Sequence, residues 1–316
     1  MAINTWDGAV STDYNDAGNW NTTGETDRVP TSADDVIIPD TSSINNCALS
    51  STGGNPKNVK SLKIEANGTI VGGGIQIRVY GESAAGFAVD NDGIISGSLF
   101  LEIKSDSTVS CDFAGSSGRF DSVTVNHASC IVNVESTFHI DGNLTITLGK
   151  VICGGNTVEI TGKTTLGPDS GAADQATLQC DASAMFLGSG KTDGLGLHVK
   201  QGGTFVGGSG NHTMGSLGVD NNAASKYTNT SATNTLDGHS NDSTRVIIGG
   251  ALSTCTAAGT ITITYAGGGY NLQNGNAAMI NNLTFNSNVT ANLSAATSIT
   301  GNLTISQGTL TTTASN

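Results

Sequence analysis

Side chains able to coordinate a cation or move a proton are few in this sequence, and they crowd its start. Residues 1 to 40 hold eight acids (Asp7, Asp13, Asp16, Glu25, Asp27, Asp34, Asp35 and Asp40) against Arg28 alone. Asp13, Asn15 and Asp16 are the residue types of a calcium loop. An EF-hand starting at Asp13 needs an oxygen ligand at its fifth position and Glu at its twelfth, however, and Ala17 and Gly24 stand there. "DNDG", residues 90 to 93, is a second oxygen-rich turn. The ordinary use of such residues is to cap turns through their side-chain oxygens. Ca2+ is therefore the secondary reading at both places, and no metal or other cofactor is assigned.

Catalysis finds little support. Glycoside cleavage needs two carboxylates about 5 to 9 Å apart. Beyond residue 40 the acids are sparse and sit in turn contexts such as Asp141-Gly142 and Asp193-Gly194. Lyases acting on acidic sugars need a cation beside the substrate carboxylate, and the arginines of this region are only Arg78, Arg119 and Arg245. His127, His139, His198, His212 and His239 show no H-x-x-x-H spacing. The six cysteines (Cys47, Cys111, Cys130, Cys153, Cys180, Cys255) form no C-x-x-C pair. Contexts such as "KVIC" and "TLQC" make buried free thiols the preferred reading, with disulfides second. The chain is read as a non-enzyme with no catalytic residue.

Charge narrows the partners. The net charge is −13 and only 12% of residues are charged. Nucleic acid is excluded, because phosphate binding needs clustered Lys and Arg. No apolar run is long enough to span a bilayer, so membrane insertion is not expected. "MAINTWDGAV" has neither the basic start nor the apolar stretch of a secretory leader. The expected route is synthesis in a cytoplasm, followed by assembly or release on lysis.

The elements that must carry these residues are repeats. Ile299-Thr300-Gly301-Asn302-Leu303-Thr304-Ile305 recurs as Ile140-Asp141-Gly142-Asn143-Leu144-Thr145-Ile146 and as Ile95-Ser96-Gly97-Ser98-Leu99-Phe100-Leu101. Weaker copies place the residue at the Leu position of the phrase at Leu62, Val123, Thr164, Leu197, Leu217, Leu252 and Leu283. Several anchors are 20 residues apart, and the longer intervals read as the same step plus an inserted loop. Gly-x-apolar phrases such as Gly149-Lys150-Val151 and Gly308-Thr309-Leu310 follow five to seven residues later. Each repeat thus reads as two or three short alternating strands with corners of Gly, Asn or Asp. The expected fold is all-β, a β-solenoid with coils of about 20 residues over 51–316. Leu62, Leu99, Val123, Leu144, Leu197, Leu217, Leu252, Leu283 and Leu303 are its core anchors, and side loops are expected near 167–194 and 220–247. Such loops are the first candidates for a partner or glycan interface.

Residues 1–50 lack the repeat and contain both tryptophans. A solenoid exposes unpaired strand edges and needs an atypical segment to block them. Trp6, Trp20, Pro30, Asp34 and Asp35 are expected to build that cap. The phrase Trp6-Asp7-Gly8, then Asn19-Trp20, then Pro30 followed by Asp34-Asp35-Val36-Ile37-Ile38, resembles the opening of solenoid segments in haemagglutinin-like bacterial adhesins. It also resembles predicted fibre and appendage proteins of marine bacteriophages. The resemblance covers about 40 residues and implies an architecture rather than one role. Met1 directly before the phrase looks more like the phage case. It implies a virion structural protein (a fibre, an appendage or a capsid-surface protein) that contacts other virion proteins or a host surface glycan and forms a homo-oligomer such as a trimer. A bacterial cell-surface or secreted adhesin is the alternative, and a polysaccharide-degrading solenoid enzyme comes third. The last coil, ending "TTTASN", has no capping pattern; the expectation is that the chain continues or that another subunit covers it.

Overall fold

A computed structural model describes residues 2–312 apart from 116, 169, 171–173, 191–194, 230–232, 240–244, 268–269, 277 and 294–296. The fold is an all-β solenoid whose parallel coils average about 23 residues, somewhat longer than the step of 20 read from the best repeats. Short strands turn at Gly, Asn and Asp, and each pairs with its equivalent in the next coil. The chain divides into two compact units, 1–142 and 143–316.

In the first unit three ladders stack. Ile3–Trp6, Asp35–Ile38, Ser61–Ile64, Val89–Asn91 and Thr108–Asp112 form one, continued by the second half of Phe120–Val134. Lys57–Val59, Ile75–Val79 and Leu99–Ile103 lead to the first half of that same strand. Cys47–Ala48, Thr69–Val71 and Ile94–Ser96 make the third. Alternation sends Leu62, Ile64, Ile77, Val79, Leu101, Ile103 and Val123 into the core, where each is buried. One strand breaks the pattern: Trp20–Thr22 runs antiparallel to Ile3–Trp6, with Trp6 opposite Trp20.

The second unit repeats the plan. From Leu144, one ladder climbs through Thr164–Leu166, Leu197–Val199, Leu217–Val219, Arg245–Gly249 and Tyr270–Asn274. A second runs from Gly149 through Ala176–Gln179, Gly203–Val206, Lys226–Asn229 and Thr254–Ala257. A third joins Val158–Ile160, Met185–Leu187, His212–Met214, Thr233–Leu236 and Thr260–Ile263, then Asn282–Leu293 and Leu303–Thr312.

This register corrects several expectations. The stretches 167–194 and 220–247 are not simple side loops: Ala176–Gln179 and Met185–Leu187 lie in the first, Lys226–Asn229 and Thr233–Leu236 in the second, and all four are ladder strands. Their three or four residues are too short for alternation to announce them. The remaining candidate loop positions 169, 171–173, 191–194, 230–232 and 240–244 lie outside the described residues. Leu252 is no core anchor. It is 65% exposed in a turn, and Ile247 is the residue that stacks on Leu217. Leu303 pairs with Leu283 as expected but is 45% exposed, because no described coil lies over Leu303–Thr312. Leu99, Leu144, Leu197 and Leu217 are buried, but Leu99 faces Ile75 and the partner of Val123 is Leu101. Leu62 is buried on the first ladder of its own unit, and Leu283 is buried on a ladder other than that of Leu144 and Leu217.

Candidate functional site

The N-terminal segment is organised around its aromatics. Trp6 and Trp20 are fully buried and meet edge to face at 5.1 Å, and Tyr14 meets Trp20 the same way at 5.0 Å. Each indole N–H has a partner: Trp6 Nε1 donates to Asn45 O at 2.7 Å, and Trp20 Nε1 to Tyr14 O at 2.8 Å. Such satisfied aromatics bury large area without stranding a donor. Pro30 is buried, Asp34 is tied to Arg28, and Asp35 accepts from Ser61 Oγ at 2.7 Å. Asp13 Oδ1 accepts from Asn15 N at 3.0 Å, and Asp16 Oδ1 from Gly18 N at 3.0 Å. Those carboxylates cap local turns, the ordinary use that the sequence suggested.

Outward-facing residues also form rows, and one row collects acids. Lys63, Asp90 and Asp112 are in register on successive coils. Oxygens of Asp90, Asp92 and Asp112 lie within 4.8 Å of one another. Burial raises the Asp90 carboxyl above its usual value, while Lys63 Nζ, 3.5 Å away, opposes that rise. Asp112 Oδ1 is already engaged, accepting from Ala114 N at 2.8 Å and from Ser136 Oγ at 2.5 Å. This is the "DNDG" turn of the sequence, now with a third carboxylate from the next coil. The donor set suits a hard cation such as Ca2+. It also places two carboxyls on adjacent coils, the arrangement a glycosidase of this fold would need.

A different recess lies in the second unit. It measures about 480 Å³, within the range of small-ligand sites, and opens on the outer face of the ladder from Leu197–Val199 to Tyr270–Asn274. His198, Gly218, Ile248 and Gln273 stand in one outward row. Asp220, on the coil next to His198, places Oδ1 2.8 Å from His198 Nε2 and so fixes the ring. Leu195 and Ile248 supply apolar lining, and Arg245, Asn221 and Gln273 supply polar groups. Gly218 makes room: a Cβ there would stand 2.4 Å from Leu195 Cδ1, so only glycine leaves Leu195 this position.

A smaller cavity of about 290 Å³ lies beside Tyr14, Pro30 and Lys57 in the first unit. Its lysine is already used, donating to Asn15 Oδ1 at 2.7 Å and to Thr52 O at 2.5 Å.

Sequence reasoning named every histidine and arginine of the recess but connected none of them. His198 and Asp220 are 22 residues apart, and Arg245 and Gln273 are 28 apart. Only the register joins them. The signal that could have found it is the outward position one residue after each buried column member, which the misplaced Leu252 anchor hid. No protein-family model matches this chain, and comparison with curated proteins and with solved structures returned no match.

Proposed function

We propose that this chain is a bacteriophage virion structural protein, a fibre, appendage or capsid-surface component with an adhesive or protective role. The observation that carries the reading is the combination of continuous parallel ladders with an aromatic-anchored N-terminal segment. Every backbone group within such a ladder is paired to its neighbouring coil, so few segments open to proteases without breaking many bonds together. That suits a protein that works as a durable surface, contacting other virion proteins or a host glycan through its outer face. A homo-oligomer, such as a trimer, fits a fibre. The acidic N-terminal region provides an electrostatic docking surface for a basic site on the particle.

The alternative is a bacterial cell-surface or secreted adhesin, which asks for the same mechanical properties. Immunogold electron microscopy of purified particles and host cells, with an antibody against residues 1–40, separates the two. Gold at a fixed place on virions is the expected result. Gold confined to uninfected cell envelopes would replace the virion reading with the adhesin.

The third reading, a polysaccharide-degrading enzyme, is favoured by one observation, the Asp90–Asp112 pair on adjacent coils with the Asp90 carboxyl raised. Release of reducing ends from host polysaccharide by the wild type but not by Asp90→Asn would establish it.

A further inference from the structure

The recess beside Arg245 is assembled from four coils, and one local irregularity aims a cation at it. Arg245 pairs with Asn271 and Ile247 with Leu272, so Val246 is an extra residue in the strand. A bulge of this kind bends the strand and re-aims the side chain beside it. Arg245 consequently lines the recess although its neighbour Val246 is buried in the core. Among the described residues, no acid pairs with the Arg245 guanidinium and nothing bonds to the Gln273 side-chain amide. Asn221 uses Oδ1 to accept from Leu252 N at 2.8 Å, and its Nδ2 has no partner among the described residues. Among the described residues, three polar groups with spare hydrogen-bonding capacity thus line one apolar floor.

We propose that this recess binds an acidic saccharide, a sugar carrying a carboxylate, as the adhesive contact of the protein. The proposal rests on the adhesive reading above. Leu195 and Ile248 offer a narrow apolar strip for the C–H face of a pyranose ring. Asp220 accepts from hydroxyls, Asn221 Nδ2 donates to them and Gln273 can do both, which matches groups that are themselves donor and acceptor. Arg245 meets the carboxylate with its planar fork. A volume of about 480 Å³ holds one or two sugar rings.

Other ligand classes fit less well. A polyphosphate or nucleotide needs several cations, and this recess has Arg245 beside Asp220 in a chain of net charge −13. An extended peptide needs a free strand edge for pairing. The strands under this recess are already paired to coils on both sides.

The test is calorimetric titration of the full chain with a glucuronate-containing tetrasaccharide and with a neutral tetrasaccharide of the same linkage, at concentrations up to about 10 mM, which reaches even millimolar affinities. The acidic sugar is expected to bind at least about tenfold more tightly, and Arg245→Gln to abolish that preference while leaving the melting temperature unchanged. Lys150→Gln, which removes a positive charge elsewhere in the same unit, should leave the preference intact. Equal binding of the two sugars, or no binding of either, overturns the proposal without needing any variant. Gold on virions together with absent binding would discard the recess alone; binding together with gold only on cell envelopes would keep the recess and move the protein to the adhesin class.

Discussion

Arg28 holds Asp34 by both terminal nitrogens, Nη1 to Oδ2 at 2.5 Å and Nη2 to Oδ1 at 2.8 Å. Thr31 adds its backbone N–H at 2.8 Å and its hydroxyl at 2.7 Å to the same Oδ2. The Asp34 carboxylate is almost wholly removed from water, 1% exposed, and four donors replace its hydration. The Arg28 hydrogen bonds, helped by those from Thr31, outweigh the effect of burial and hold its pKa well below the usual carboxylate range.

A carboxyl lowered in the folded state contributes stability that is present above its unfolded pKa of about 3.9 and is lost as pH falls toward the lower folded value. The wild type is therefore expected to lose stability below about pH 4, and Asp34→Asn to lose less over that interval. Arg28→Met strands the buried carboxylate and should cost about 3 kcal/mol at pH 7. Urea unfolding at pH 7 and pH 3 reads both; equal losses in wild type and Asp34→Asn would reject the assignment.

His212 predicts a separate window at milder pH. It replaces an apolar residue in the column between Met185 and Asn234 and is 1% exposed. Burial lowers its pKa, although Nε2 lies 2.7 Å from Gly207 O, a contact that favours the protonated ring. The native state therefore prefers neutral imidazole, and stability should fall as pH drops below the unfolded value of about 6.5. A melting-temperature profile between pH 7.5 and 5 should slope downward in the wild type and flatten in His212→Gln. A wild-type profile that is level there would refute the reading.

The thiols can be counted chemically. Cys47, Cys111, Cys130, Cys153 and Cys180 are fully buried, and Cys255 is half-buried. Burial raises the Cys111 and Cys180 thiols and pushes Cys130 up to about 11. Because the thiolate is the reactive form, a disulfide-exchange reagent at pH 8 should modify at most Cys255 in the native protein and all six after denaturation. Rapid native labelling of two or more sites would contradict the packing described.

Register is tested by two leucines. Leu217 is buried and stacks between Leu197 and Ile247, so Leu217→Ala should cost about 2 to 5 kcal/mol. Leu252→Ala, in an exposed turn, should change stability by less than about 0.5 kcal/mol. Comparable effects in chemical denaturation would mean that the coil is threaded as the repeat phrase suggested.

These leucines also mark how far the sequence could be read. The phrase around Leu144 and Leu303 disclosed the solenoid, because Gly at a corner and apolar residues two apart are needed wherever a coil turns. It did not disclose which ladder each copy occupies: Leu144 and Leu303 share nearly the same words yet lie on different ladders. A coil of three short strands offers three equivalent places for such a phrase, and coil lengths that vary break the phase between copies. The aromatic anchoring of Trp6 and Trp20 was legible because both tryptophans fall in the one segment that lacks the repeat. The recess was not, since His198, Asp220, Arg245 and Gln273 become neighbours only through stacking.

The antiparallel strand Trp20–Thr22 gives the first unit a direction. Parallel ladders present evenly spaced, slanted bonds, whereas an antiparallel pair alternates narrow and wide spacing. A parallel coil offered to the outer side of Trp20–Thr22 meets chain of the opposite sense and can pair there only antiparallel, as Ile3–Trp6 does on the inner side. Another copy of this chain cannot prolong the parallel ladder across that edge, so the Trp6–Trp20 end carries an arrowhead that tells one copy from the continuation of another.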